Sequence, residues 1–551
     1  MDRLFYTNEI RAKTSLDGIW NLFIEEKGEF SVPVPGCWEQ IPTLASFRGK
    51  GKYTKRIKLP KNTNLKITFK GVSHTGDVYF DGKFIAHHYN AFTPFSAIVR
   101  NCSEGEHEIS VIVDNTFSEA SSLHVPNDYY TYGGLTRPVT MEEIPDTYIE
   151  YVHFTPELLD GKWNGKISVC VRNIQDKDFK GKITSFLESV SVSSEVSVPA
   201  NSTAIVSLKT SFADVLPWNT KTPNLYLLNT VLFENDKAVD DLVERVGFRT
   251  VEVRDKKIYL NGEEIYFKGF NRHEDHPEFG SALPVQVMAH DMDLMLDTGA
   301  NAVRMSHYPN DERFLDLCDE RGVLVWEENH ARGLSLERMQ NPNFDKQCED
   351  CIYEMVINHY NHPSIVIWGL LNECASHTEE GREKYKKQFE QLRSLDSSRP
   401  NSFATCQHFT DLCLDLPDIV SVNLYPLWYD NNDPLETLNK ELAWVKETIG
   451  DTKPYIVSEF GAGAVYGNRS DTCARWTEER QKQILDTVLD RYLASDELSG
   501  LFIWQFSDCR VTEEEWFMVR PLTRNNKGIV DGYRRKKLAY NTVKKHYNKE
   551  R

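Results

Sequence analysis

At 551 residues the chain is too long for one hydrophobic core, and its net charge of -18 argues against phosphate-backbone binding, which needs clustered Lys and Arg. Nucleic acid is therefore not an expected partner. The opening "MDRLFYTNEIRAKTSLDG" has no apolar core of leader length, and no window approaches the roughly 18 apolar residues of a membrane helix, so a cytoplasmic protein away from membranes is expected.

Residues 1–145 carry short alternating runs such as "YTKRIKLP", "LKITFKG" and "HEISVIVDN", broken by Gly, Pro, Asn and Asp, the pattern of an antiparallel sandwich. A second series, "KISVCVRN", "KGKITSFLE", "TAIVSLKT" and "LYLLNTVLFEN", fills 146–252 and suits a smaller sandwich of immunoglobulin size.

The texture changes over 253–551. Eight short apolar runs, "YFKGFNRHE", "AVRMSHY", "VLVWEEN", "IVIWGLLNE", "SFATCQ", "IVSVNLY", "YIVSEFG" and "LFIWQFSD", alternate for the most part with stretches of helical periodicity. That is the arithmetic of a (β/α)8 barrel. Eleven cysteines, mostly isolated, fit reduced thiols; Cys348 and Cys351 fall in a helical pattern without a second pair at zinc spacing.

A barrel gathers the carboxyl ends of its strands on one face and builds its active site there. Here those ends carry His307, Asn372, Glu373, Tyr425, Glu459 and Trp504. Two glutamates on different strands suit glycoside hydrolysis: one protonates the leaving oxygen, and the other attacks the anomeric carbon or activates water. Asn372 is placed to bond a sugar hydroxyl and Tyr425 to hold Glu459. Glu274, Glu327 and Glu328 are rival carboxylates on the residues alone.

"GFNRHED", "GANAVRMSHYP", "WGLLNE", "SEFGA" and "WQF", in this order, closely resemble glycoside hydrolase family 2, over nearly the whole chain. The resemblance implies a jelly-roll sandwich, an immunoglobulin-like sandwich and a catalytic (β/α)8 TIM barrel. It also implies retention of configuration, with Glu373 as acid/base and Glu459 as nucleophile, supported by His307, Asn372, Tyr425 and Trp504. Asp128 in "NDYYTYGGLTRPV" resembles the family's loop that brings an aspartate to the sugar. "VNLYPLWY" adds Tyr429, and Asn525 with Lys527 resembles the Asn-x-Lys motif with which the family's β-glucuronidases hold the sugar carboxylate.

Two departures bear on the sugar. Pro521 stands where an Arg is common, flanked by Arg520 and Arg524, and Arg332 stands where a small or apolar residue is common. An extra guanidinium near the ring brings the C4 hydroxyl into question. The expected activity is an exo-β-hexuronidase acting on terminal β-glucuronides, with β-galacturonides the first alternative, and a β-galactosidase or a non-catalytic carbohydrate-binding protein more distant ones. No metal or other cofactor is expected, since Glu274, His276 and Glu327 lack a ligand signature. The short segment after Gly333 implies an open mouth, accepting uronate-terminated oligosaccharides as well as small conjugates. A homo-oligomer, tetramer or dimer, is implied by the family.

Overall fold

The computed structural model describes residues 2–549. A six-stranded sheet in the order Gly28–Val34, Gly18–Ile24, Lys50–Leu59, Gly105–Asp114, Thr75–Phe80 and Lys83–Tyr89 makes one side of the first sandwich. A four-stranded sheet of Lys13–Ser15, Val139–Ile144, Thr63–Phe69 and Phe95–Cys102 makes the other. Alternation along the strands sends Trp20, Leu22, Ile67, Phe69, Val111 and Val113 into one shared core. Sheets of three and four strands between Thr147 and Val246 form the second sandwich around Ile149, Ile167, Ile183 and Phe248.

The barrel closes in sequence order through eight parallel strands: β1 Phe267–Arg272, β2 Ala302–Met305, β3 Leu324–Glu328, β4 Ile365–Leu370, β5 Asn401–Thr405, β6 Ile419–Asn423, β7 Tyr455–Phe460 and β8 Leu498–Ile503. Six fall within the apolar runs read from the sequence, while β5 begins one residue and β8 three residues ahead of theirs. They are continuous runs because a barrel strand is covered on both faces. The helices packed outside are α1 Val285–Asp297, α2 Glu312–Arg321, α3 Phe344–His359, α4 Glu379–Leu395, α5 Pro434–Ile449, α6 Glu478–Leu493 and α7 Leu538–Tyr547. Their ends follow local chemistry. Asp433 caps α5 through the N–H groups of Leu435 and Glu436, with Pro434 at the first position, and Gly322 at φ +68° stops α2.

One crossover has no helix. Between β5 and β6 the chain turns on Asp411, which accepts the hydroxyls of Ser376 and Thr405 at 2.5 Å each and the N–H of Cys413 at 2.7 Å. These bonds fix a loop in place of a helical turn. The loop carries Cys406, His408 and Phe409 to the mouth of the barrel.

The first sandwich docks on that mouth. Arg137 Nη2 donates to Glu274 at 2.7 Å, the Tyr132 hydroxyl donates to Asp275 at 2.6 Å, and Tyr129 meets His330 Nε2 at 3.0 Å. The loop bearing these groups is itself held by Glu39, which accepts the Gly133 N–H at 2.9 and 3.1 Å. Burial pushes the Glu39 pKa from 4.5 up to about 8. Between those values the unfolded chain ionises before the native one does, so unfolding releases a proton and stability falls as pH rises through this window. Glu39→Gln, which mimics the neutral form, is expected to flatten the fall in melting temperature between about pH 5 and about pH 8. A slope equal to that of the unaltered protein would remove Glu39 as its origin.

Candidate active site

Strand β4 stops at Leu370, and Leu371 at φ +31° and Glu373 at φ +53° leave the extended conformation. Such backbone costs a non-glycine residue about 1–2 kcal/mol. Its effect is to release two successive side chains from strand alternation, so that Asn372 and Glu373 both reach partners in the mouth. Glu373 Oε1 accepts from Asn423 Nδ2 at 2.9 Å and Oε2 from Arg332 Nη2 at 3.2 Å. Asn372 Oδ1 accepts from Arg304 Nη2 at 2.8 Å, and its buried amide NH2 has no hydrogen-bond partner among the described residues.

Glu459, on β7, faces this pair. Its Oε1 accepts from Arg304 Nη1 at 2.9 Å and its Oε2 from the Tyr425 hydroxyl at 2.7 Å. Burial raises the Glu459 pKa and the neighbouring Glu373 charge adds to the rise, against the pull of Arg304 and Tyr425. Arg304 is fully buried and also binds Glu328 through Nε at 2.9 Å and Nη2 at 3.0 Å. One planar guanidinium thus sets the relative positions of Glu459, Asn372 and Glu328. Burial drives the Glu328 pKa up to about 7 despite Arg304. His307 Nδ1 lies 2.8 Å from Glu328, and its ring stacks on Trp504 with centroids 4.9 Å apart. Burial, then Arg304, hold the His307 pKa well below the usual histidine range.

The other end of the site is cationic. Lys527 is 2% exposed and lies over the rings of Tyr429, Tyr425 and Trp428 at 5.3, 5.7 and 5.9 Å. Its Nζ donates to the Tyr429 hydroxyl at 3.1 Å, and no carboxylate pairs with it among the described residues. Burial and the like charge of Arg520 lower its pKa, against Tyr429. Burial works upward on the Tyr429 hydroxyl, but Lys527 and Arg520 outweigh it and lower its pKa. Arg520, by contrast, is spoken for: it grips both oxygens of Asp128, through Nε at 2.9 Å and through Nη2. Asn525 Nδ2 donates to the same carboxylate at 2.9 Å.

These groups surround a cavity of about 610 Å³. Asp128, Arg332, Glu373, Tyr425, Tyr429, Glu459, Trp504 and Lys527 line it, while His307, Asn372 and Asn525 stand behind the wall and are tied to it by hydrogen bonds. Asn525 was expected beside Lys527 as a direct contact for the sugar carboxylate; its amide is instead turned to Asp128. Glu274 and Glu327, the rival carboxylates, are bound to Arg137 and His359 respectively and do not line this cavity.

Three segments match one family: the sugar-binding domain of glycosyl hydrolases family 2 over residues 16–145, its central domain over 147–249 and its TIM barrel domain over 251–550. The chain belongs to glycoside hydrolase family 2. As a family 2 protein it is a glycoside hydrolase, built from the jelly-roll sandwich, the immunoglobulin-like sandwich and the TIM barrel. Among family 2 relatives, a β-glucuronidase of Streptococcus agalactiae is 27% identical, over 98% of this chain and 96% of its own. The crystal structure of a β-galacturonidase from Eisenbergiella tayi bound to galacturonate superposes with a TM-score of 0.97 at 46% identity, covering 99% of each chain. A β-D-glucuronidase structure from Dictyoglomus thermophilum gives 0.86 at 26% identity, covering 98% of each chain.

Three residues of this family 2 site received no role in the sequence reading: Arg304, Asn423 and Arg520. Arg304 had a signal, an arginine inside the apolar run "AVRM", since an arginine buried in a barrel strand must be paired. Asn423 closes β6 as the other polar residues close theirs. Arg520 was noted only as a neighbour of Pro521, and its pairing with a residue 392 positions away has no local trace.

Proposed function

We propose that the protein is a retaining exo-β-hexuronidase that removes terminal β-D-glucuronate from small conjugates and uronate-terminated oligosaccharides. The observation that carries this reading is Lys527: a buried ammonium in an aromatic cage, with no carboxylate of the chain paired to it among the described residues. A buried charge requires a partner, and a sugar carboxylate is one that a hexuronide brings and a neutral hexoside lacks. Arg520 is occupied by Asp128 and Arg332 by Glu373, which leaves the ligand to answer Lys527.

In the proposed reaction Glu459 attacks the anomeric carbon while Glu373 protonates the departing oxygen, and Glu373 then takes a proton from the water that releases the sugar. Arg304 and Tyr425 aim Glu459 and oppose the rise that burial gives its pKa. Asn372 stands behind the wall beside Glu373, and its unpartnered NH2 is expected to reach a ring hydroxyl only once bound substrate opens that wall.

β-Galacturonide is the second reading. It rests on the 46% identity to a protein described as a β-galacturonidase and on Arg332, whose guanidinium at the cavity wall adds donors near the ring. The test is kcat/KM for the p-nitrophenyl β-glucuronide, β-galacturonide and β-galactoside measured side by side. Both uronides are expected far above the galactoside, and their ratio decides between the C4 epimers. A preference for the galactoside would overturn the hexuronidase assignment.

A further inference from the structure

The cavity has a further stretch of wall, close enough to Glu373 for its charge to act on His408, that the reaction above leaves unused. This stretch comes from the helix-free loop between β5 and β6 and from the first turns of α5. Glu441, on α5, is 3% exposed and lines this part, and its Oε2 has no hydrogen-bond partner among the described residues. His408 Nδ1 is 3.1 Å from the carboxylate without being aligned to bond it. Burial works downward on the His408 pKa, but Glu441 and the charge of Glu373 outweigh it and raise it, so the imidazole faces the cavity as a donor over a wider pH range.

Beside them Phe409 holds its ring out at the rim. It is 57% exposed, its backbone lies at φ +64°, and Trp444 backs the ring at a centroid distance of 5.5 Å. A bulky residue in this conformation is strained, and surroundings that maintain such strain are concentrated at ligand clamps. A flat apolar face next to a carboxylate with a spare acceptor is the chemistry of sugar recognition: the ring's C–H face packs on the aromatic, and hydroxyls donate to the carboxylate.

We propose that Phe409, His408 and Glu441 form a leaving-group subsite for a neutral sugar, with its ring on Phe409 and its hydroxyls shared between Glu441 and His408. The proposal rests on the hexuronidase reading and narrows it: the preferred substrate is a uronate β-linked to a neutral hexose. An apolar aglycone would leave Glu441 unsatisfied, and a second uronate would set like charges together.

The experiment compares wild type, Phe409→Ala and Glu441→Gln on three substrates. These are a β-uronosyl fluoride, whose leaving group fills no subsite, a uronosyl-hexose disaccharide, and a uronosyl-uronate disaccharide. Wild type is expected to favour the hexose disaccharide over the uronate one, and each substitution to lower kcat/KM on the hexose disaccharide by about tenfold or more, through KM. Fluoride hydrolysis is expected to stay within about twofold, because no contact to a leaving group is lost there. An equal loss on fluoride and disaccharide would mean a structural role and overturn the subsite, as would no loss on the disaccharide. Phe409→Ala, at an exposed position, keeps the test decisive should Glu441→Gln fail to fold. Failure of the hexuronidase reading shows separately, as wild type that does not hydrolyse the uronosyl fluoride.

Discussion

Glu459→Ala is expected to lower turnover of an aryl β-uronide by on the order of 10⁴-fold or more, because the group that forms the covalent bond is gone while the cavity remains. Azide then separates the proposed roles. In Glu459→Ala it enters from the side the carboxylate vacated and displaces the aglycone directly, giving the α-uronosyl azide. In Glu373→Ala a substrate with a good leaving group still loads Glu459, and azide, needing no general base, releases the sugar as the β-azide. Proton NMR of the products distinguishes the two anomers. The reverse outcome would exchange the assignments, and no rescue in either variant would remove the double displacement altogether. The surroundings favour the order given, since Glu459 is held on both oxygens by Arg304 and Tyr425 as a fixed nucleophile should be. Glu373 is held by Asn423 and by the longer contact to Arg332.

Lys527→Ala should be nearly as severe, but selectively so. Removing one partner of a buried charge pair costs about 2–5 kcal/mol, which is roughly 30-fold to several thousandfold in kcat/KM for a uronide. A neutral hexoside never meets that charge and should lose little, so the uronide-to-hexoside ratio collapses. The alkaline side carries a second signature. Burial and Arg520 lower the Lys527 pKa, so KM for the uronide should begin to rise below the usual lysine range as the ammonium loses its proton. That limb should be missing in Lys527→Ala. An unchanged ratio in the variant would mean that the uronate carboxylate is held elsewhere.

The barrel was legible because its signal is periodic and repeated. Each of the eight strands is a short run covered on both faces, and a polar residue at its end marks the catalytic side. Glu373 and Glu459 were legible as strand-end carboxylates for the same reason, but their choice over Glu274, Glu327 and Glu328 came from the family resemblance. The β5–β6 crossover was not, because a loop organised by Asp411 depends on hydroxyls from Ser376 and Thr405 that meet it only in the folded chain. Asn525 illustrates a different limit. The family resemblance implied that it and Lys527 face one ligand, but strand pairing of Arg524–Asn525 with Cys509–Arg510 ends at Asn525, so alternation does not extend to Lys527. What fixes the Asn525 side chain is Asp128, far away in sequence. Arg304 could have been found from its place in an apolar run, although its acceptors come from β1, β3, β7 and the end of β4 and could not.

The pairing of Asp128 with Arg520 and Asn525 joins a loop made early in synthesis to a segment made almost last. A ribosome must deliver nearly the entire polypeptide before the cationic end of the cavity can close, even though both sandwiches and much of the barrel have already emerged. Until then Arg520, Asn525 and Lys527 are missing from the site, so its cationic end is assembled in one late step. Loss of a few dozen C-terminal residues would leave Asp128 without its guanidinium, an unpaired negative charge at the end of the cavity proposed to hold the substrate's carboxylate.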